Sequence, residues 1–220
     1  MKIKPTFSNY IIKKIRESEG REYIIKHHYS KGCHAHPICY GLFDKSKKMK
    51  KPEHLFLEPK LIGVIAFACP CSENVRQFVF GKEYKDSVIE LHRLHILDET
   101  PKNTESWFIS RVLKLFKKEY PKYNAVITYA DSTIGHEGTI YKATNSYRIG
   151  TTKSNSTFYL DEKNRLRHPR QCGKNITKTE AINMGWKPIK RNFKYRYLYL
   201  LAKSKKHKKK LINLCKIELN

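Results

Sequence analysis

The chain has 220 residues, 40% of them apolar and 12% aromatic, enough to bury one substantial core. Forty-five Lys and Arg against twenty Asp and Glu leave a formal charge of +25, an excess that repels itself unless a polyanion neutralises it; nucleic acid is the first candidate. No stretch of about eighteen consecutive apolar residues occurs, and the opening MKIKPTFSNYIIKKIRESEG lacks the apolar block of a secretory signal, so a soluble, intracellular chain with no membrane span is expected.

In chain order, SEGREYIIKHHYS (18–30) reads as a helix capped by Ser18, with Tyr23, Ile24, Ile25 and Tyr29 on its apolar side and Gly32 permitting a left-handed turn after it. PICYGLF (37–43) and KLIGVIAFA (60–68) are strands joined by a long basic connection. SVIELHRLHI (87–96) alternates at strand period, with Glu90 and His92 on one side and Arg93 and His95 on the other. NTESWFISRVLKLFKKEY (103–120) is a helix with Asn103 as cap and a buried stripe of Phe108, Val112, Leu115 and Phe116. NAVITYA (124–130) is apolar almost throughout, as a central strand covered on both faces would be. GTIYKATN (138–145) is a short helix, followed by strands at 147–152 and 157–160. From 161 the chain turns basic and irregular, until Thr177 and Glu180 form a capping box ahead of a short helix. YRYLYLLA (195–202) is the last strand, and KSKKHKKK (203–210) reads as a solvated basic run.

The six cysteines read as reduced thiols in a chain of this size without an export signal. Cys33, His34, His36 and Cys39 of CHAHPIC offer donors for zinc, but at a spacing that matches no ribbon or finger, and small buried side chains are the simpler reading.

The order of elements predicts a mixed α/β layer fold, a single catalytic domain over 1–202 followed by a basic tail over 203–220. It resembles the GNAT acyltransferase fold: a central, mostly antiparallel sheet with helices on both faces and a splayed fifth strand. In that fold a Gly-rich helix start cradles a cofactor pyrophosphate. The corresponding stretch here, DETPKNTESW, has no glycine and carries Asp98, Glu99 and Glu105, which repel a pyrophosphate.

Six motifs, KHHYSKG, YGLFD, LIGVIAF, VIELHRL, PKNTESWFI and ITYADSTIGHEGTIYKATN, follow in the order of the bacteriophage Mom proteins, covering roughly residues 20–152. The resemblance implies a phage-encoded enzyme of the host cytoplasm that converts adenine in double-stranded DNA to a carbamoylmethyl derivative at its exocyclic amine, protecting the DNA from host restriction. It implies activity-linked positions at His28, Tyr29, Arg93, Ser106, Asp131 and Tyr141. It also implies iron(II) as a cofactor and a donor related to glycine.

Such chemistry needs an extruded base held between aromatic or apolar walls and a group that accepts a proton from a poorly nucleophilic amine. Asp131 is a candidate base, or alternatively a metal ligand together with His28, and it is also a natural turn cap. Tyr29 and Tyr141 are candidates for stacking or hydrogen bonding, and Arg93 for holding an anion or polarising a carbonyl. Ser106 and Asn103 stand at a helix start where a donor can bind. Arg165, Arg167, Arg170 and Lys194, in the basic segments 163–170 and 187–196, are candidate phosphate contacts. Glu90, His92, His95, His136 and Glu137 carry no assigned role, and whether the chain acts as a monomer or a homodimer is left open. Two rival readings are a coenzyme A-dependent acetyltransferase acting on protein or RNA, and a non-catalytic basic nucleic-acid-binding protein.

Overall fold

Apolar residues alternating at strand period place seven strands in one sheet. In chain numbering they are β1 (Tyr10–Ile15), β2 (Ile38–Lys50), β3 (Leu57–Ala68), β4 (Val88–Ile96), β5 (Ala125–Asp131), β6 (Tyr147–Thr151) and β10 (Lys194–Leu200), in the order β1-β2-β3-β4-β5-β10-β6. A second sheet of β7 (Thr157–Leu160), β8 (Leu166–Arg167) and β9 (Lys187–Lys190) runs β8-β7-β9. The helices are α1 (Glu17–His27), α2 (Glu73–Phe80), α3 (Thr104–Glu119), α4 (Thr139–Lys142), α5 (Lys178–Asn183) and α6 (Lys205–Leu214). This computed structural model describes residues 7–50, 57–152, 157–167, 176–190 and 192–219. β1 through β4 pair antiparallel, whereas β4 and β5 run parallel, giving the mixed sheet that the order of elements predicts.

The first unit comprises Met1–Thr128, Gly138–Ile149 and Tyr197–Asn220. On one face of its sheet α1 seats Tyr23 and Ile24 against Cys39, Val64 and Ala66. The helix can approach closely because position 20 is glycine: a Cβ there would lie 2.4 Å from the Cys39 sulfur. α3 buries Phe108, Ile109, Val112 and Phe116 completely, with the Phe67 and Phe116 rings 4.3 Å apart. Ile109 replaces the predicted Leu115 in that stripe; Leu115 remains 37% exposed.

The second unit comprises Tyr129–Glu137 and Gly150–Arg196. Its small core joins Tyr159, Ile176 and Ala181, with Trp186 packed against them. The predicted capping box is present: the Thr177 hydroxyl accepts from the Glu180 amide, and the Glu180 carboxylate accepts from the Thr177 amide.

Three local expectations are corrected. Arg16 rather than Ser18 occupies the N-cap of α1, without a side-chain cap, and Lys31 rather than Gly32 takes the left-handed conformation after it. Asn103 precedes α3 in a left-handed conformation, and its side chain caps nothing. Finally, most of the expected solvated tail folds as α6, started by a hydrogen bond from the His207 amide to the Ser204 hydroxyl and anchored by the buried Leu211.

Candidate active site

The local geometry of β4 sets the site. Glu90 pairs with Ala68, Leu91 with Phe67 and Arg93 with Ala66, so His92 has no partner and forms a β-bulge. An extra residue reverses the alternation beyond it. Glu90 and Arg93, predicted on opposite faces, therefore share one, the face that α1 covers through Ala66. The parallel pairing with β5 ends at the same point, its register running only from Val88↔Ala125 to Glu90↔Ile127. Just past it, the Thr128 hydroxyl donates to the Leu91 carbonyl at 3.1 Å.

The chain leaving α1 passes over the bulge. Arg93 donates from Nε to the Gly32 carbonyl (2.9 Å) and from Nη1 to the His92 carbonyl (2.7 Å). Burial lowers its proton affinity, although Tyr29, Glu90, Cys33 and Cys71 around it work in the opposite direction. The Glu90 carboxylate meets the Nδ1 of His92 at 3.3 Å, with both side chains largely buried. The His34 ring stands edge-on to that of His92, centroids 5.6 Å apart.

Tyr141 enters this cluster from α4. It is buried, which pushes its phenol up to about 12, and its hydroxyl hydrogen-bonds Thr128. Tyr29, Glu90 and Arg93 are its charged or ionisable neighbours. The α4 backbone is held close by Gly138, which has φ of 76° and where a Cβ would lie 2.3 Å from the Tyr197 ring.

Of the sequence candidates, Tyr29, Arg93 and Tyr141 thus act on one another, and His28 adjoins Tyr29 with ring centroids 4.3 Å apart. Tyr29 is 50% exposed, the accessible aromatic of the group. Sequence reasoning left out Glu90, Thr128 and His92. The polar residues of ELHRL were the available signal, but nothing in the sequence marks the bulge that unites them.

Ser106, Asp131, Arg165, Arg167 and Lys194 each have local partners. Ser106 donates to the Asn103 carbonyl at 3.1 Å, a bond internal to the start of α3. Asp131 belongs to the second unit, where its Oδ1 accepts from the Thr133 amide at 3.1 Å and caps a short 3-10 turn. Arg165 and Arg167 both donate through Nε to Oδ2 of Asp161, at 2.8 and 2.9 Å. Burial opposes ionisation of Asp161, but hydrogen bonds from the Arg165 amide, the two guanidiniums and the Lys163 amide outweigh it and hold the carboxyl well below the usual range. Lys194 is half-buried in β10, its amide donating to the Thr152 hydroxyl, and Arg170 lies outside the described residues.

His28 is held at Nδ1, which lies 2.8 Å from the Ser30 hydroxyl and 3.1 Å from the Ser30 amide. Among the described residues no group of three or more His, Cys, Asp or Glu is arranged to hold an ion, those of CHAHPIC included. The five described cysteines are free thiols. No helix among the described residues is long and apolar enough to cross a membrane.

Comparison with known proteins places this geometry in context. The profile of the Mom protein family matches residues 9–216. The methylcarbamoylase mom of Escherichia phage Mu is 33% identical over 99 residues, a match spanning 45% of this chain and 40% of that relative's own length. Among solved structures, the ribosomal-protein-S5-alanine acetyltransferase from Vibrio fischeri superposes with a TM-score of 0.50 at 10% identity, covering 90% of this chain and 96% of that one. Arabidopsis thaliana NAA60 in complex with acetyl-CoA gives 0.51 at 11% identity, covering 87% and 98%. At such identities the likeness shows the fold alone, that of the GNAT acyltransferases.

Proposed function

We propose that this chain, which belongs to the Mom protein family, is a phage transferase that acts in the host cytoplasm. It places a carbamoylmethyl group on the exocyclic amine of adenine in double-stranded DNA and so shields that DNA from restriction. One observation carries the reading: Tyr29, Glu90, Arg93 and Tyr141 converge where β4 bulges and parts from β5. A partly buried guanidinium spent only on carbonyls, beside a carboxylate with which it makes no ion pair among the described residues, suits a polar substrate group better than it suits packing.

In this reading the adenine leaves the stack at a cost of a few kcal/mol and lies against the exposed Tyr29 ring. Arg93, fixed at Nε and Nη1, directs its remaining donors at the carbonyl of the incoming group. The Tyr141 hydroxyl stays protonated at neutral pH and serves as a hydrogen-bonding group rather than a base. Asp131 holds the turn after β5. The donor is one related to glycine, as the family resemblance implies; Asp98 and Glu105 would oppose a pyrophosphate at the start of α3, whereas Glu99 is paired with Lys47 and Lys60. Iron is implied by the family resemblance alone; among the described residues no group of three or more His, Cys, Asp or Glu is gathered to hold it.

For the DNA path, Arg165 and Arg167 are committed to Asp161, so the lysines of α6 are the better phosphate contacts. Lys205, Lys206, Lys209 and Lys210 are exposed, and no carboxylate among the described residues reaches them. The test is enzymatic digestion of DNA from cells expressing the chain, followed by mass spectrometry. A heavier deoxyadenosine supports the reading, and unmodified nucleosides alongside soluble protein refute it. Stabilisation of the purified chain by acetyl-coenzyme A in a thermal-shift assay would favour the acetyltransferase reading instead.

A further inference from the structure

We infer that His92, its ring held by Glu90, takes the proton that the adenine amine loses as its new bond forms; this rests on the adenine-modification reading above. The Nδ1 of His92 faces a Glu90 carboxylate oxygen at 3.3 Å, and a carboxylate only accepts. The ring therefore carries its proton on Nδ1 and presents the lone pair of Nε2, the state a general base requires. Two features place that ring at the reacting centre. His92 is the bulge residue, and Glu90, which orients it, is one of the charged neighbours of Tyr141 and Arg93.

In the transfer step the adenine nitrogen forms a bond to the electrophilic carbon of the donor. The bond from that carbon to its leaving group breaks, the leaving group departs with the electron pair, and the nitrogen's proton passes to Nε2 of His92. Glu90 is then a positioning residue: it fixes the tautomer and stabilises the imidazolium that results. The groups around His92 act on its ring in opposite directions. Burial, Arg93 and His34 lower its proton affinity, and Glu90 raises it. The net effect is downward, so the ring is neutral and able to accept at neutral pH. The His34 ring stands edge-on to His92, centroids 5.6 Å apart, and is the neighbouring ring to which the proton can pass on.

The experiment combines two measurements on the full chain. In cells, His92→Ala and His92→Gln should lower the yield of modified deoxyadenosine by ~100-fold or more, with purified variants still folded and still binding a duplex. Retention of product within about threefold of the parent, against that ~100-fold expectation, overturns the inference. The second measurement needs no donor. Nitrogen-15 spectra of the histidines should show the proton of His92 on Nδ1. Glu90→Gln, which keeps the acceptor but removes the charge, should move the His92 titration to lower pH. A proton found on Nε2, or a titration unmoved by Glu90→Gln, overturns the pairing. If the parent chain yields no modified adenine, the function reading fails, and the nitrogen-15 result still decides whether Glu90 and His92 form an oriented base.

Discussion

Glu90 and Arg93 lie three positions apart on one strand and point to the same face, yet no ion pair joins them. Regular alternation would have sent them to opposite sides; the unpaired His92 between them undoes it. Arg93→Gln should therefore remove a directed donor rather than a structural ion pair. The expected outcome is a loss of modified deoxyadenosine by ~100-fold or more, with duplex affinity largely unchanged by fluorescence anisotropy. Arg93→Lys should fail to rescue it, because a single ammonium cannot bond the Gly32 and His92 carbonyls and still face the substrate.

The Tyr141 hydroxyl pairs with that of Thr128, which donates to the Leu91 carbonyl. Thr128→Val keeps the shape and removes both links, leaving two buried polar groups unsatisfied. Chemical denaturation should show a loss of about 1–3 kcal/mol. Tyr141→Phe removes only the terminal hydroxyl, so its stability loss should be smaller while its loss of product is larger.

Asp131 separates a cap from a charge. Asn retains the oxygen that accepts from the Thr133 amide, and Ala does not. Asp131→Ala should cost about 1 kcal/mol in thermal denaturation, and Asp131→Asn distinctly less. Equal losses would mean that the charge, not the cap, matters there.

Asp161 makes the second unit acid-sensitive. Its carboxyl titrates below the ordinary 3.8 in the folded chain, so its contribution is fully present above that value and is lost as pH falls from there toward the folded one. Far-ultraviolet circular dichroism during acidification should show the loss setting in below about pH 4. Arg167→Gln weakens the depression and should make the unit less stable at neutral pH, with a correspondingly smaller change on acidification.

Replacing Lys205, Lys206, Lys209 and Lys210 by Gln should weaken duplex binding irrespective of sequence. The slope of log affinity against log salt should flatten by ~0.9 for each phosphate that the variant no longer neutralises. Arg165→Gln with Arg167→Gln should leave that slope nearly unchanged.

Much of the fold is legible because its signals are local. The capping box at Thr177 and the apolar runs of β3 and β5 announce themselves in the sequence. β1 is hard to see because YIIKKI has only six residues with lysines among them, and it becomes a strand by pairing with Ile38–Lys50 from Cys39 to Asp44. α6 is masked by lysines that suggest solvation, while a single buried leucine and a serine cap hold it in place. The site is half visible: Tyr29, Arg93 and Tyr141 follow from motifs, whereas Glu90 and His92 join them through a change of register that no local propensity encodes.

The tight seat of Gly20 has a consequence for how this chain tolerates variation. With the Cys39 sulfur where a methyl would go, even alanine at position 20 would pry α1 away from the sheet. The sheet would survive that insult, but the helix ends at His27, and the peptide that follows it delivers both the Tyr29 ring and the Gly32 oxygen gripped by Arg93. A lesion well upstream would thus be felt as a misaimed guanidinium, giving a molecule that accumulates normally and does nothing.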